Sequence, residues 1–525
     1  MATAHIDTFA RDNLPPKDQW PVFLLDRPEF HYPEKLNAAV TLIGNPAFKD
    51  RIAVIDKAGR LTFGEMDVLS NRIARVLVED MGVVSGNRVL LHGPNCKMMV
   101  ACWLGILKAG AIAVATMPLL RAPDLAPVIE KAKITHALSH PELAEAVKPT
   151  ADKVRTLYFD AIEAAAAGKP ADFQAVETYA EDLALIAFTS GTTGVPKGTM
   201  HFHRDVMAIC DAFPRSTLET QPDDIFIGTP PLAFTFGLGG LVLFPWRYGA
   251  ASVLIERYTP QSLMEAIRDY KATVTFTAPT FYRLMAAVEG VDVSSLRACV
   301  SAGEALPAAI RAAWKEASGI EMIDGIGATE MLHIFISHKP SEARPGATGK
   351  PIPGYEAKIV DLDGNELPVG QVGRLAVRGP TGCRYLADDR QRNYVKDGWN
   401  LTGDAYLKDA DGYYFFQSRT DDMIVSAGYN IAGIEVENVL LGHPAVSECA
   451  VIGVADGERG QIVKAFVVLK AGEEACDALC KTLQEHVKST IAPYKYPRSI
   501  EFRDVLPKTE TGKLQRFKLR DQTGA

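Results

Sequence analysis

Short apolar runs alternating with helix-period stretches are the feature that most narrows the folds open to this chain. RVLLHGP (88–94) precedes KMMVACWLGILKAG, and AIAVATM follows it; the pattern returns in LALIAFTS (183–190), in ASVLIER (251–257) before SLMEAIRDY, and in ATVTFTAP (272–279) before TFYRLMAAV. Such alternation folds as mostly parallel strands joined by helices that cover the sheet. A chain of 525 residues exceeds one ordinary core, so two to four domains or subdomains are expected. From about residue 350 short runs and turns take over, with Asp-Gly pairs at 363, 397 and 411 that suit hairpins. After SRTDDM (418–423) a compact unit follows, with a helix GIEVENVLLGHP, strands ECAVIGVAD and KAFVVLK, a helix from EEACDALCKTL, and an edge segment PRSIEFRDVLP. The expected class is α/β. A large N-terminal domain (1–420) holds two helix-covered, mostly parallel sheets plus a β-rich subdomain, and a small C-terminal α+β domain (421–525) follows a charged, polar linker. The first forty residues read as an arm lying on the first domain, and no internal repeat is present.

Charge and cysteine usage limit the partners. Lys+Arg 56 against Asp+Glu 64 gives −8, which excludes a general nucleic-acid surface and requires any polyanion to be held by a local pocket. Residues 225–246, IFIGTPPLAFTFGLGGLVLFPW, run uncharged for the length of a membrane span, but Pro230, Pro231, Pro245 and four glycines break a continuous helix. A strand, a turn and a buried helix are expected there, with no membrane partner. The eight cysteines form no CxxC pair, and the first residues lack an apolar signal core, so a cytoplasmic protein with reduced thiols is expected.

The most informative stretch is LIAFTSGTTGVPKGTMHFHR (185–204). An apolar strand empties into Thr189, Ser190, Gly191, Thr192, Thr193 and Gly194, followed by Lys197. Hydroxyls, bare backbone N–H groups and a nearby ammonium make a nest for phosphate oxygens. The spacing is not that of a Walker A loop, since no Gly-Lys-Ser/Thr follows at the required distance.

This string resembles the TSGTTGxPKG loop of the adenylate-forming superfamily of acyl-CoA synthetases, peptide-synthetase adenylation domains and luciferases. IGATE (326–330), TGD (402–404), SRTDDMI (418–424) and PKTETGKLQR (507–516) are similar, in order, to further motifs of that family. The resemblance implies ATP, Mg²⁺ and CoA as cofactor and substrates. It places Thr329 on phosphate, Glu330 on Mg²⁺, and Asp404 with Arg419 on ribose, puts a hinge at Asp421 that makes the small domain mobile, and makes Lys513 the adenylating lysine of that domain. Gly303, Glu304, Asp324, Gly325, Ile326 and Gly327 are carried over as further nucleotide contacts. No nucleophilic Cys or Ser is required, because both nucleophiles are substrates.

SAGEALP, DGIGATEMLHIF and the closing APYKYPRSIEF resemble in particular the benzoate-CoA and 2-aminobenzoate-CoA ligase branch, although APYKYPR is shared with medium-chain acyl-CoA synthetases. The implied acyl pocket comprises Ala233, Phe234, Phe236, Gly237, Ala302, Gly327, His333 and Ile334. Phe234 and Phe236 are expected on one side of an extended segment, forming a flat slot for an aromatic acid, with plain core as the alternative. His333 either bonds a ring substituent or has the structural role favoured for a lone histidine. Ser426, Ala427 and Gly428 would line the pantetheine path, with Tyr494, Lys495 and Arg498 near the CoA phosphates or simply forming an exposed basic surface. Ala427 stands where relatives often carry Gly, and Val425 where some carry Lys. The expected partners are an aromatic carboxylic acid, ATP and CoA; a homodimer and a lysine acetyltransferase acting at Lys513 are compatible additions. Medium-chain acyl-CoA synthesis, carrier-protein loading and non-catalytic nucleotide sensing are the alternatives.

Overall fold

A computed structural model describes residues 2–189, 196–422, 424–426, 429–508 and 514–523. The alternating runs form two sheets. In the first, the order is Arg155–Tyr158, His136–Ser139, Arg88–His92, Ile112–Thr116, Leu183–Thr189 and Lys197–Phe202. All pairs are parallel except the last, where Leu183–Thr189 turns back antiparallel onto Lys197–Phe202. Arg88–His92 is buried along its whole length, as a central strand covered on both faces must be. The helix Lys97–Lys108 buries every residue after its first, which explains why its sequence is apolar all round.

The second sheet runs in the order Lys350–Pro351, Ile334–Ser337, Met322–Gly327, Ala298–Ser301, Val274–Thr277, Ile225–Gly228, Ala251–Val253, Ile52–Asp56 and Gly59–Thr62. Its centre is parallel, and both ends are closed by antiparallel strands. The uncharged stretch 225–246 resolves into the strand Ile225–Gly228 and short helical turns over Thr235–Arg247, including a π-turn at Gly239–Leu243. No described helix is long and apolar enough to cross a membrane.

The β-rich part is an antiparallel sheet of Glu356–Val360, Val372–Arg378, Trp399–Lys408, Val395–Lys396 and Tyr414–Arg419. Asp397 and Gly398, with φ of 50° and 77°, form a two-residue hairpin turn whose positive φ at both positions matches strand twist. A fourth sheet, Tyr429–Ile431, Ile424–Ser426, Gly460–Leu469, Val446–Asp456 and Ser499–Phe502, has its own core, with the helices Gly433–Leu441 and Asp477–Thr490 contributing to it. The N-terminal arm lies on the first sheet's domain: Ala4 N–H donates to Asp182 at 2.9 Å and Asp7 pairs with Arg88 at 2.5 Å.

Candidate active site

The strand Leu183–Thr189 delivers Thr189 to the head of the glycine- and threonine-rich loop. Ser190, Gly191, Thr192, Thr193 and Gly194 lie outside the described residues. The chain returns at Pro196, and Lys197 opens the next strand. Its Nζ stands 3.7 Å from Glu330 Oε1 and donates to the Tyr385 hydroxyl at 3.1 Å. That hydroxyl in turn donates to the same Glu330 oxygen. Glu330 and Tyr385 are both buried. Burial, with the Glu330 charge beside it, pushes the Tyr385 phenol far above its ordinary value, so it remains a proton donor.

Sequence reasoning missed Tyr385, because TGCRYL carries no local signal of its chemistry. Only sheet pairing brings it in. Tyr385 bridges to Thr199, while Met200 N–H donates to Arg384 O and Leu386 N–H to Gly198 O, each at 2.8 Å.

Glu330 sits on a single turn, Thr329–Met331, that is fixed at both ends. The His201 ring bonds the Thr329 carbonyl through Nε2 at 2.8 Å, and Thr381 Oγ1 donates to Met331 O at 2.7 Å. The turn closes on Leu332, a non-glycine residue at φ 67°, buried and strained. Behind His201, Asp205 Oδ2 is 3.7 Å from Nδ1 and accepts from Arg384. Burial is the largest single influence and would raise the Asp205 carboxyl, but the Arg384 charge, the His201 hydrogen bond and the Arg204 charge together outweigh it and bring it down to about 2.

Asp404 and Arg419 face each other across adjacent strands, 2.8 Å apart, and Arg419 also donates to Thr402 O at 3.2 Å. Gly403 is required here: at φ 75°, a Cβ would meet the Arg419 guanidinium at 2.7 Å. Asp324, at the head of the IGATE turn, is buried with Oδ1 unpaired among the described residues. Burial pushes its carboxyl up to about 7, partly opposed by Arg311. These groups form one neighbourhood: the charges of Glu330, Asp404 and Arg419 all act on the Tyr394 hydroxyl, and those of Asp404 and Asp324 on Tyr406. Glu304 is anchored by Thr280 Oγ1 at 2.8 Å, and Gly303, at φ 87°, faces open space.

The apolar side of the site is aromatic. The Phe236 ring lies 5.6 Å from both Phe276 and His333, and His333 packs edge-on to Phe244 at 4.3 Å. Burial lowers His333 to about 3, so the ring is neutral, and its Nε2 bonds the Phe236 carbonyl at 3.3 Å. Gly239 admits this ring, since a Cβ there would meet it at 2.3 Å; Gly327 likewise clears the His333 backbone. Ala233, Phe236, Ile326 and Ala328 are only partly buried, while Ala302 and Ile334 are buried in the same core. Gly237 packs against the carbonyls of Pro230 and Pro231.

The expected pairing of Phe234 with Phe236 on one side of an extended segment is corrected. Residues 235–238 are helical, so two positions no longer share a face, and Phe234 caps the turn with 39 % of its surface exposed. In the C-terminal part, Ser426 is buried with an unpaired hydroxyl among the described residues. Lys495 pairs with Glu435 at 2.6 Å, Arg498 stacks on Tyr496 at 4.7 Å, and Tyr494 is exposed. Lys495 and Arg498 are therefore engaged within their own domain rather than forming an exposed basic surface. Asp421 lies in the short turn Thr420–Asp422, and Lys513, Ala427 and Gly428 fall outside the described residues.

The structure thus brings together a carboxylate–lysine pair, a cross-strand Asp–Arg pair and an aromatic cluster, and comparison with known proteins identifies the family. The AMP-binding enzyme model matches residues 45–385 and the AMP-binding enzyme C-terminal domain model residues 435–513. The chain belongs to the AMP-binding enzyme family. It is 36 % identical to a benzoate–CoA ligase of Thauera aromatica over 94 % of this chain and 97 % of the relative. The mitochondrial acyl-coenzyme A synthetase ACSM3 of Homo sapiens is 34 % identical over 88 % of this chain and 83 % of its own. The crystal structure of the anthranilate CoA ligase AuaEII in complex with anthranoyl-AMP superposes with a TM-score of 0.89 at 36 % identity, covering 95 % of this chain and 99 % of the other. Among these AMP-binding enzymes the chain is an acid-thiol ligase that uses ATP and CoA.

The family's Mg²⁺ fits the donors present. Glu330 offers a single buried carboxylate near Lys197, which suits an ion that keeps waters and phosphate oxygens as its other ligands. Among the described residues no cluster of three His, Cys, Asp or Glu side chains competes for it.

Proposed function

We propose that this enzyme activates an aromatic carboxylic acid of the benzoate or 2-aminobenzoate type and transfers it to CoA. The observation that carries the aryl assignment is the aromatic cluster in which a partly buried Phe236 lies against Phe276 and a neutral His333. A flat ring gains face and edge contacts there that a flexible chain does not. The names of the Thauera ligase and of the anthranoyl-AMP complex favour the same reading.

In the first half-reaction, a carboxylate oxygen bonds the α-phosphorus of ATP and the bond to pyrophosphate breaks. In the second, the CoA sulfur bonds the acyl carbon, the bond to AMP breaks, and the thiol proton leaves. Lys197 and the loop from Thr189 hold phosphate, Asp404 and Arg419 hold ribose, and Asp324 and Gly325 border the base. Glu330 would hold Mg²⁺, which would offset phosphate charge. Lys513, carried by a domain that begins at the Asp421 hinge, serves the first half-reaction, and rotation of that domain opens thiol access past Ser426. Acetylation of Lys513 removes its charge and should silence adenylation.

The test is acid-dependent pyrophosphate release, with mass detection of the thioester, across benzoate, 2-aminobenzoate, hydroxybenzoates and hexanoate. One or more aryl acids should exceed hexanoate in kcat/KM. Hexanoate exceeding all of them would replace the aryl reading with the medium-chain one that ACSM3 represents.

A further inference from the structure

Lys197 and Glu330 face a conflict that follows from their roles. A lysine meant for phosphate and a carboxylate meant for a cation neutralise each other if they close into a direct ion pair. In this structure they stand 3.7 Å apart, beyond hydrogen-bond distance, and the Tyr385 hydroxyl bridges them from one side, accepting from Lys197 at 3.1 Å and donating to Glu330. The Lys197 Nζ also sits 5.0 Å from the centre of the Tyr385 ring, so the ring face holds the ammonium aside.

The phenol is itself immobilised. Its backbone N–H donates to Gln391 Oε1 at 2.9 Å, its neighbours pair with the Lys197–Phe202 strand, and its ring packs on Tyr394 at 5.8 Å. A buried hydroxyl held in this way offers each group a hydrogen-bond partner that competes with their direct pairing.

We propose that Tyr385 is a positioning residue that keeps Lys197 and Glu330 from pairing, so that the carboxylate remains open to Mg²⁺ and the ammonium to phosphate. The proposal rests on the roles given above to Glu330 and Lys197. Without the hydroxyl, the 3.7 Å gap shortens to a direct charge-assisted bond and Mg²⁺ must displace the lysine.

The experiment uses the full chain with ATP and Mg²⁺. ATP binding is followed by thermal shift while Mg²⁺ is titrated at saturating ATP, for wild type and for Tyr385→Phe. The Mg²⁺ half-saturation should rise about tenfold in Tyr385→Phe, the scale of one hydrogen bond to a charged group, while metal-free AMP binding stays unchanged. A general packing defect would weaken both. In the background of Lys197→Gln the Tyr385→Phe effect should vanish, because no lysine remains to close on the carboxylate.

Unchanged Mg²⁺ dependence in Tyr385→Phe, or a full effect surviving in the Lys197→Gln background, overturns the positioning role. If wild type itself shows no Mg²⁺-dependent ATP stabilisation, the assignment of Glu330 fails instead, which separates the two. Should Tyr385→Phe not fold, Lys197→Gln alone decides: a half-saturation that does not fall supports the proposal. A tenfold fall means the lysine competes despite the tyrosine, and overturns it.

Discussion

Asp205→Asn is the substitution whose cost the structure specifies most sharply. Asp205 and Arg384 are both without exposed side-chain surface, and their ion pair lies behind His201, which holds the Thr329 carbonyl and hence the turn that carries Glu330. Asn removes the charge while leaving the Arg384 guanidinium buried, packed 4.0 Å from the Phe202 ring centre and 4.8 Å from that of Phe23. An uncompensated buried charge of this kind costs about 3–5 kcal/mol. At about 2 °C per kcal/mol for a large cooperative unit, the melting temperature of the N-terminal part should fall by about 6–10 °C. Asp205→Leu with Arg384→Met, removing both charges, should cost less than the sum of the single changes, with coupling of about 2 kcal/mol or more. The acid arm has a fixed sign. With the Asp205 carboxyl lowered from 3.8 to about 2, its contribution is fully present above pH 3.8 and is lost as the pH falls toward 2. Differential scanning calorimetry across pH, on wild type and the cycle of variants, measures this. A shift of less than about 2 °C for Asp205→Asn would rank the pair with solvated surface ion pairs and refute the reasoning.

Phe236→Ala should raise KM for the aryl acid about tenfold or more with KM for ATP little changed, since its ring faces Phe276 and His333 and not the Asp404–Arg419 pair; steady-state kinetics with each substrate varied reads the split. Asp404→Ala should weaken AMP binding about tenfold and leave aryl acid affinity alone, measured by calorimetric titration. Asp324→Asn should stabilise the protein at alkaline pH. The carboxyl, raised from 3.8 to about 7, is unstrained when protonated and loses stability as the pH climbs through that window, whereas Asn does not titrate. Melting curves for the two proteins should therefore converge near pH 4, separate as the pH rises to about 7 and stay apart above it, and curves that remain parallel from pH 4 to 7 would contradict the burial of that carboxyl.

How much was legible in the sequence depended on whether the signal was local. The strand-forming runs at 88–94, 183–190 and 272–279, the Asp-Gly hairpin at 397 and the α+β texture after 423 are written in consecutive residues, and each appears in the fold. Glu330, Asp404, Arg419 and Lys197 sit in compact motifs and were legible as a set. Tyr385 and His201 were not, because each acts on a residue more than 50 positions away through sheet pairing or a turn. Phe234 went wrong for the opposite reason. Local alternation suggested an extended segment, but the glycines at 237, 239 and 240 allow tight helical turns against the Val274–Thr277 strand and His333, and tertiary packing overrode the pattern.

The glycines that defeated the local reading also bear on selectivity. Gly239 and Gly240 let the helical turn approach within a side chain's thickness of His333 and Phe276, since a Cβ would meet those rings at 2.3 and 2.6 Å. The rings behind Phe236 are thus pressed against backbone, and close-packed interiors of this kind yield little when an extra methylene is forced in. On the proposed aryl reading, such a rigid floor would let a planar acid stack on the Phe236 side and would stop an alkyl chain from running deeper. Selectivity for a ring is on this account a matter of depth set by two glycines as much as of the aromatic residues themselves. Gly239→Ala should displace His333 and abolish aryl acid binding while AMP binding survives. Retained aryl acid binding in that variant, measured by titration calorimetry, would mean that the acid does not rest on this floor.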